Sequence, residues 1–351
     1  MSLYDVTVNI QLQKVVKRLD FGIPLIMTAG VTASPAQEGQ EQQTPVTHAY
    51  AEYTSTQQVK EVFGDSDIIS VIAASIFKQE NAPKRIACCT TTATNLNALK
   101  AVKDQNWRQL ILTSLDWDGE SKDLTDVFDW CEENKRVLFT STKSTTKFTD
   151  FSAKKGTYHH IVVLYYNDTT EQVVFPEAAV VGATAGKKVG SITYKNQILA
   201  GVLPMVLEES ELKTYHDAGC ITIVSKAGDI VTSEGKALSG QYIDITDSMD
   251  WLEQQLRYKV QKVLNNNDKV EYTDRGINLL EGAAISVLKE AYDNGMIAED
   301  PDGLPMYWAK FAKREETEAA DRVVRRYIGG NFGCTLSGAV HDVELTGYVE
   351  F

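Results

Sequence analysis

Arg85-Ile-Ala-Cys-Cys-Thr-Thr-Thr-Ala-Thr-Asn-Leu-Asn-Ala-Leu-Lys-Ala-Val-Lys-Asp104, followed by Gln109-Leu-Ile-Leu-Thr-Ser114 and by Lys122-Asp-Leu-Thr-Asp-Val-Phe-Asp-Trp-Cys-Glu-Glu133, decides the fold. Arg85–Cys89 is short and apolar, as a buried strand is, and Ala93–Asp104 then changes to helical spacing. Gln109–Ser114 is a second buried strand. In Lys122–Glu133 the apolar residues Leu124, Val127, Phe128 and Cys131 fall on one face of a helix. Working outward, Ser55–Phe63 and Ile68–Gln79 have helical patterns, and Val137–Thr140 and His160–Tyr166 read as strands. Alternation of this kind predicts a sheet with helices packed over its faces. In such a strand Cys88 and Cys89 point to opposite sides.

Bulk composition agrees with a folded chain. The 351 residues are 43% hydrophobic, 9% aromatic and 24% charged, enough for one large core or two ordinary ones. With 48 acidic against 35 basic residues the formal charge is −13, which argues against a general nucleic-acid role. The cysteines Cys88, Cys89, Cys131, Cys220 and Cys334 show no CxxC spacing and read as reduced, mostly buried thiols. Lys14, Lys17 and Arg18 before the apolar run Phe21–Val31 imitate a signal peptide. Gly22 and Pro24 interrupt that run, however, and strand-like sequence precedes it. Nothing approaches the roughly 20 apolar residues of a membrane span. Synthesis in a cytoplasm is expected, with no membrane insertion.

The two ends carry strict alternation. Tyr4, Val6, Val8, Ile10 and Leu12 share one face of a strand against Asp5, Thr7, Asn9, Gln11 and Gln13. Val343, Leu345, Val349 and Phe351 do the same at the far end. Residues 30–47 shift to Ala, Gln, Thr, Pro and Glu, the composition of an exposed loop. The last third changes character. Met249–Leu264 is an amphipathic helix with Met249, Leu252, Leu256, Val260 and Val263 on one face and Asp247 placed to cap it. A second helix begins at Thr273, carries Ile277, Leu280, Ala284, Val287 and Ala291, and ends before Gly295. Pro301-Asp-Gly303 is a turn. Glu315–Tyr327 reads as a third helix, followed by glycine-rich 329–333 and the terminal strand.

Catalytic and cofactor motifs do not assemble. Gly182-Ala-Thr-Ala-Gly186-Lys187-Lys188 lacks both the glycine spacing and the Ser/Thr of a phosphate loop, and reads as a flexible link between domains. His48, His159, His160, His216 and His341 stand in no metal-ligand spacing, and the rings of His159 and His160 would face opposite sides of a strand. No Gly-x-Ser-x-Gly elbow is present. Asp116, Asp118, Glu120 and Asp123 read as a solvated acidic loop rather than a calcium site. No catalytic residue, cofactor or metal is expected.

The C-terminal half resembles the contractile phage tail sheath family. The likeness rests on Gly235-Lys-Ala-Leu-Ser-Gly-Gln-Tyr-Ile-Asp244, Met249-Asp-Trp-Leu252, Tyr272-Thr-Asp-Arg-Gly-Ile277 and Asn294-Gly-Met-Ile297. Ala319-Ala-Asp-Arg322 and Gly338-Ala-Val-His-Asp-Val-Glu-Leu-Thr-Gly347 extend it, with Phe175-Pro-Glu-Ala-Ala179 and Gly201-Val202 upstream. It covers about residues 172–351. The first half lacks the Pro-Gly arm and large inserted domains of many sheaths, and resembles the short forms of some myophages and R-type bacteriocins.

The resemblance implies a mixed α/β, α+β chain. Its expected parts are an N-terminal arm strand (1–20), an outer α/β domain (21–185), a sheath core domain (186–334) and a C-terminal arm strand (335–351). It implies a structural subunit that polymerises helically around an inner tube and contracts to drive it through a target envelope. Neighbouring subunits would exchange the terminal strands, through Tyr4, Val6, Val8, Ile10, Leu12, Val343, Leu345, Val349 and Phe351; alternatively both ends pair within one subunit's own sheet. Expected partners are other copies of the chain, the inner tail tube protein, and baseplate and tail terminator proteins. Candidate tube contacts are Arg257, Lys259, Lys262, Arg275 and Lys289. The chain would be made in a bacterial host cytoplasm and end in an extracellular tail or tail-like particle. An α/β-domain enzyme and another virion or baseplate protein are the alternatives.

Overall fold

The computed structural model describes residues 21–32, 45–117, 121–143, 155–167, 175–344 and 347. In chain order the elements of the first half are β1 (Pro24–Thr28), β2 (Ala51–Tyr53), α1 (Thr56–Phe63), α2 (Ile68–Phe77), β3 (Ile86–Thr90), α3 (Asn95–Ala101), β4 (Gln109–Leu112), α4 (Ser121–Glu133), β5 (Val137–Thr142), β6 (Ile161–Tyr165) and α5 (Pro176–Ala185). There follow α6 (Glu209–Ala218), β7 (Cys220–Ile221), β8 (Ile223–Lys226), β9 (Asp229–Thr232), α7 (Ile243–Asn266), α8 (Asp274–Asp293), β10 (Tyr307–Phe311), α9 (Ala319–Val323) and β11 (Gly330–Cys334).

Seven strands form one mixed sheet in the order β2-β3-β1-β4-β5-β6-β7. Edge strand β2 runs antiparallel to β3, and every other pairing in the sheet is parallel. The apolar run that imitates a leader is central strand β1, paired to β3 on one side and β4 on the other. Pro24 stands at its first position, where a missing N–H costs least. Because a parallel sheet is covered on both faces, its strands are apolar throughout: Ile86, Ala87, Cys88 and Cys89 are all buried. Cys88 points into the layer formed with α1, α2 and α5, and Cys89 into the layer formed with α3 and α4, as the alternation requires. All five cysteines are free thiols, four of them buried.

Short polar side chains start several helices. Asp67 Oδ1 accepts from the Ile69 N–H at 2.8 Å to open α2, and Thr273 Oγ1 accepts from Gly276 N–H at 3.3 Å to open α8. Gly219, at φ 90°, ends α6 in the left-handed conformation glycine tolerates.

Four sequence expectations are corrected. Gly182-Ala-Thr-Ala-Gly186 is not a flexible link but the end of α5, a helix whose ten residues are all buried. A Cβ on Gly182 would lie 2.5 Å from the Ile76 carbonyl oxygen, and one on Gly186 2.1 Å from that of Asn81, so the glycines let α5 press against the backbone of α2 and of the turn that follows it. Asp247 does not cap the amphipathic helix. α7 begins four residues earlier, and Asp247 is buried within it, while Met249 points outward at 58% exposure. The third helix shrinks to a 3₁₀ turn at Arg314–Glu316 and the five residues of α9. Val323 and Val324, 81% and 67% exposed, find no core to pack on, and Arg325 at φ 57° turns the chain out of helix. The glycine-rich stretch that follows is itself a strand, β11, and the chain from Ser337 to Glu344 belongs to no helix or strand.

Candidate functional site

Three parallel strands of the sheet begin with a buried or half-buried cation. Arg108 precedes β4, Lys135 and Arg136 precede β5, and His160 precedes β6, so they line up along one end of the sheet. Across that end lies α7, whose Asp247, Asp250 and Glu253 recur every three residues and share a face. Arg108, 1% exposed, reaches Asp247 Oδ1 at 2.7 Å and Asp250 Oδ2 at 2.8 Å. Lys135 Nζ lies 3.0 Å from Asp250 Oδ1 and also pairs with Glu253. His160 Nε2 stands 2.8 Å from Asp250 Oδ2, its Nδ1 3.0 Å from Glu132 Oε1, and its backbone N–H donates to Glu132 Oε2 at 3.0 Å. The Tyr194 hydroxyl donates to Asp247 Oδ2 at 2.7 Å.

Burial works against the charges of Arg108 and Asp250, but their partners outweigh it. Arg108 is held above its ordinary range by Asp247 and Asp250. Asp250, despite desolvation, is held far below the carboxylate range by His160, Arg108 and Lys135. Sequence reasoning missed the joint because a charge beside a short apolar run resembles a solvated strand end. The signal that could have found it is the pairing of two patterns: a cation just before each of three buried strands, and acids at i, i+3, i+6 on one long helix.

Beyond the joint, α7 and α8 pack on each other through Trp251, Leu252, Val287, Leu288 and Ala291. On α8 rests an antiparallel ribbon of β10 and β11, in register Tyr307↔Cys334 to Phe311↔Gly330. Tyr307, Ala309 and Cys334 face the helices. Trp308 faces outward, 56% exposed, and lies across its partner Gly333, where a Cβ would be 2.7 Å from its Nε1; Phe332, paired with Ala309 on the opposite face, is nevertheless 47% exposed. Among the described residues this sheet has two strands, so each presents one open edge. Leu304, Val323, Val324 and Ile328, all more than 60% exposed, extend the apolar surface around it.

The terminal residues expected to exchange are divided by what is described. Tyr4, Val6, Val8, Ile10, Leu12, Leu345, Val349 and Phe351 lie outside the described residues. Val343 is 74% exposed and in no strand. Just before it, His341 Nε2 lies 2.8 Å from Thr193 Oγ1, and Asp342 pairs with Lys195 at 3.1 Å, tying the outgoing chain to the 193–195 loop. The five candidate tube contacts are spread along α7 and α8. Arg257 pairs with Glu253 at 2.7 Å, Lys289 with Asp293 at 3.0 Å and Lys259 with Glu290 at 3.9 Å. Lys262 Nζ stands 5.8 Å from the Tyr258 ring centre, and Arg275 is exposed.

Of the remaining histidines, His48 lies tilted at 54° against the Phe63 ring, and His216 Nε2 lies 2.8 Å from Ser233 Oγ. Asp123 of the acidic loop accepts from the Asn95 amide at 2.7 Å; Asp118 and Glu120 lie outside the described residues. Among the described residues no three His, Cys, Asp or Glu side chains are grouped to hold a metal ion. Nor is any helix among them long and apolar enough to cross a membrane.

No protein-family model matches the chain, and no curated protein matches it by sequence. Solved structures do. The helical sheath of the anti-feeding prophage in its contracted state aligns over 99% of both chains, with a TM-score of 0.69 and 14% identity. The sheath complex of the PVC extracellular contractile injection system, also contracted, aligns over 99% of this chain and 98% of its own, at TM-score 0.67 and 13% identity. The sheath tail protein of Desulfitobacterium hafniense aligns over 94% and 99%, at TM-score 0.58 and 9% identity. The chain has the sheath-protein fold over nearly its whole length.

Proposed function

We propose that this chain is the sheath subunit of a contractile injection particle, a structural protein that polymerises helically around an inner tube and contracts to drive it. The observation that carries the reading is the end-to-end likeness to sheath subunits, 99% of both chains in the case of the anti-feeding prophage sheath. A different virion component would not be expected to align with sheaths from end to end.

The β10–β11 ribbon is where assembly would act. A two-stranded sheet with two open edges and exposed aromatics is marginal alone and gains by adding strands. The alternating segments 3–13 and 342–351 have the period such addition needs, and they come from neighbouring copies. One copy's terminal strand entering the next copy's ribbon is a heterologous contact that does not close, which generates a helix. His341 and Asp342, tied to the 193–195 loop, set the point from which the C-terminal arm leaves its own subunit. Arg257, Lys259, Lys262, Arg275 and Lys289 are the proposed grip on the tube. Exposed ion pairs of this kind contribute little each, which suits a contact that must break when the sheath moves. Baseplate and terminator proteins would cap the two ends of the lattice. The outer α/β domain and the core domain would divide near residue 185, with arms of 1–20 and 335–351.

Negative-stain electron microscopy of the purified chain tests the reading. Hollow or striated cylinders are expected for the full chain and not for a variant lacking residues 1–13. Compact monomers at every concentration, for both proteins, would overturn it.

A further inference from the structure

The joint between the sheet and α7 contains one group whose charge changes near neutral pH. His160 is 6% exposed and lies between two carboxylates, with Asp250 Oδ2 at 2.8 Å from Nε2 and Glu132 Oε1 at 3.0 Å from Nδ1. A neutral imidazole carries one N–H, so it can satisfy only one of them; the other then faces a nitrogen lone pair in a buried site. Only the imidazolium carries an N–H on both sides, one hydrogen-bonded to Asp250 and the other in ion-pair contact with Glu132. The two carboxylates belong to different elements, Glu132 to α4 and Asp250 to α7, while the ring itself is fixed at the start of β6.

We propose that His160 is a proton-operated pin that holds α7 to the sheet. Doubly protonated, it ties α4, β6 and α7 together; when the proton leaves, one of the two links turns repulsive and the first half of α7 loosens from the sheet end. The surrounding charges leave this role to His160. Arg108, from the residue before β4, touches both Asp247 and Asp250; Lys135, from the turn before β5, touches Asp250 and Glu253; Tyr194 donates to Asp247. Arg108 and Lys135 are both held above their ordinary ranges and Asp250 below its own, so none of these three changes charge between pH 6 and 8.5. Burial opposes the imidazolium, but the hydrogen bonds to Asp250 and Glu132 outweigh it and raise the His160 pKa, with the Arg108 charge acting the other way. For a histidine raised in the folded state, the stabilisation is complete below the unfolded value and fades as pH rises through the folded one.

The inference does not rest on the sheath reading, since the joint lies within one chain. Hydrogen exchange of the full chain, followed by mass spectrometry on the peptide spanning residues 247–255 and corrected for intrinsic base catalysis, tests it. In the natural protein the opening equilibrium of this peptide should rise between pH 6 and 8.5, by about tenfold for each pH unit that separates the folded and unfolded pKa values. In H160Q, which donates to one carboxylate at most and does not titrate, the same peptide should exchange faster at pH 6 and show no such rise. A natural protein whose α7 opening is flat with pH, or an H160Q variant with the same profile, overturns the proposal. The His160 ring titration by NMR gives a check that needs no variant to fold. A midpoint above the ordinary value of about 6.5 is expected, and one at or below it overturns the pin.

Discussion

The seven-stranded sheet and the β10–β11 ribbon are built from the same chain by opposite rules. In the sheet, β1, β3, β4 and β6 are buried on both faces, with α1, α2 and α5 over one side and α3 and α4 over the other. In the ribbon one face rests on α8, yet Trp308 on the outer face and Phe332 on the inner one are both left in solvent beside two open edges. The sheet satisfies itself. The ribbon is satisfied only in company, and the difference separates residues that fold the subunit from residues that would join it to others.

Substitutions sharpen this contrast, and the largest effects belong to the sheet and its joint. Arg108→Ala leaves Asp247 and Asp250 buried without their shared cation, and should cost about 3–5 kcal/mol in denaturant unfolding. Phe128→Ala, in the layer between the sheet and α4, should cost a similar ~3–5 kcal/mol. If either cost under about 1 kcal/mol, the sealed-body account would fail.

Glu177 is smaller in effect and has the opposite sign. Burial at the start of α5 raises its carboxyl to about 7, although backbone and Ser141 hydrogen bonds pull it down, and Oε2 has no partner. The folded chain therefore holds this proton more tightly than the unfolded one, and stability falls as pH rises from about 4.5 to about 7. Glu177→Gln should remove that fall and stabilise the protein at pH 8 by on the order of 3 kcal/mol at most, visible as a raised Tm at pH 8 and little change at pH 4.5. On the ribbon, Trp308→Ser with Phe332→Ser should leave the Tm of the monomer within the ordinary range of surface changes, about 0.5 kcal/mol, while abolishing cylinders in the microscope. Smallest of all, Arg257→Ala should leave the Tm unmoved, because its partner Glu253 is exposed and keeps Lys135.

Much of the body was legible because burial on both faces writes itself as uninterrupted apolar runs. Ile86–Cys89, Gln109–Leu112 and Ile161–Tyr165 fall within the segments read as strands, and α4 within one residue of the segment read as a helix. What was not legible depends on contacts far apart in the chain. Asp247 looked like a cap because its partner, Arg108, lies 139 residues away. The Glu315–Tyr327 stretch has helical composition, yet Val323 and Val324 have no face to pack against, and propensity without packing does not sustain a helix. Gly182 and Gly186 were read as flexibility, whereas their lack of side chains lets α5 lie directly against the backbone of Ile76 and Asn81. The assembly surface was legible only as the alternation of the two ends, since β11, with glycine at two of its five positions, Gly330 and Gly333, carries little period of its own.

Strand exchange between copies is the central claim, and a mixed cross-link tests it most directly. One batch of the chain would carry Val8→Cys and the other Asn331→Cys on β11, mixed one to one from monomers, allowed to assemble and then oxidised. A disulfide-linked pair joining one chain of each kind, absent when either batch is oxidised alone, is the result the account requires. A mixture that assembles yet gives no such pair, together with ready closure of the same bridge within a single chain carrying both cysteines, would place the N-terminal segment on its own ribbon and contradict it.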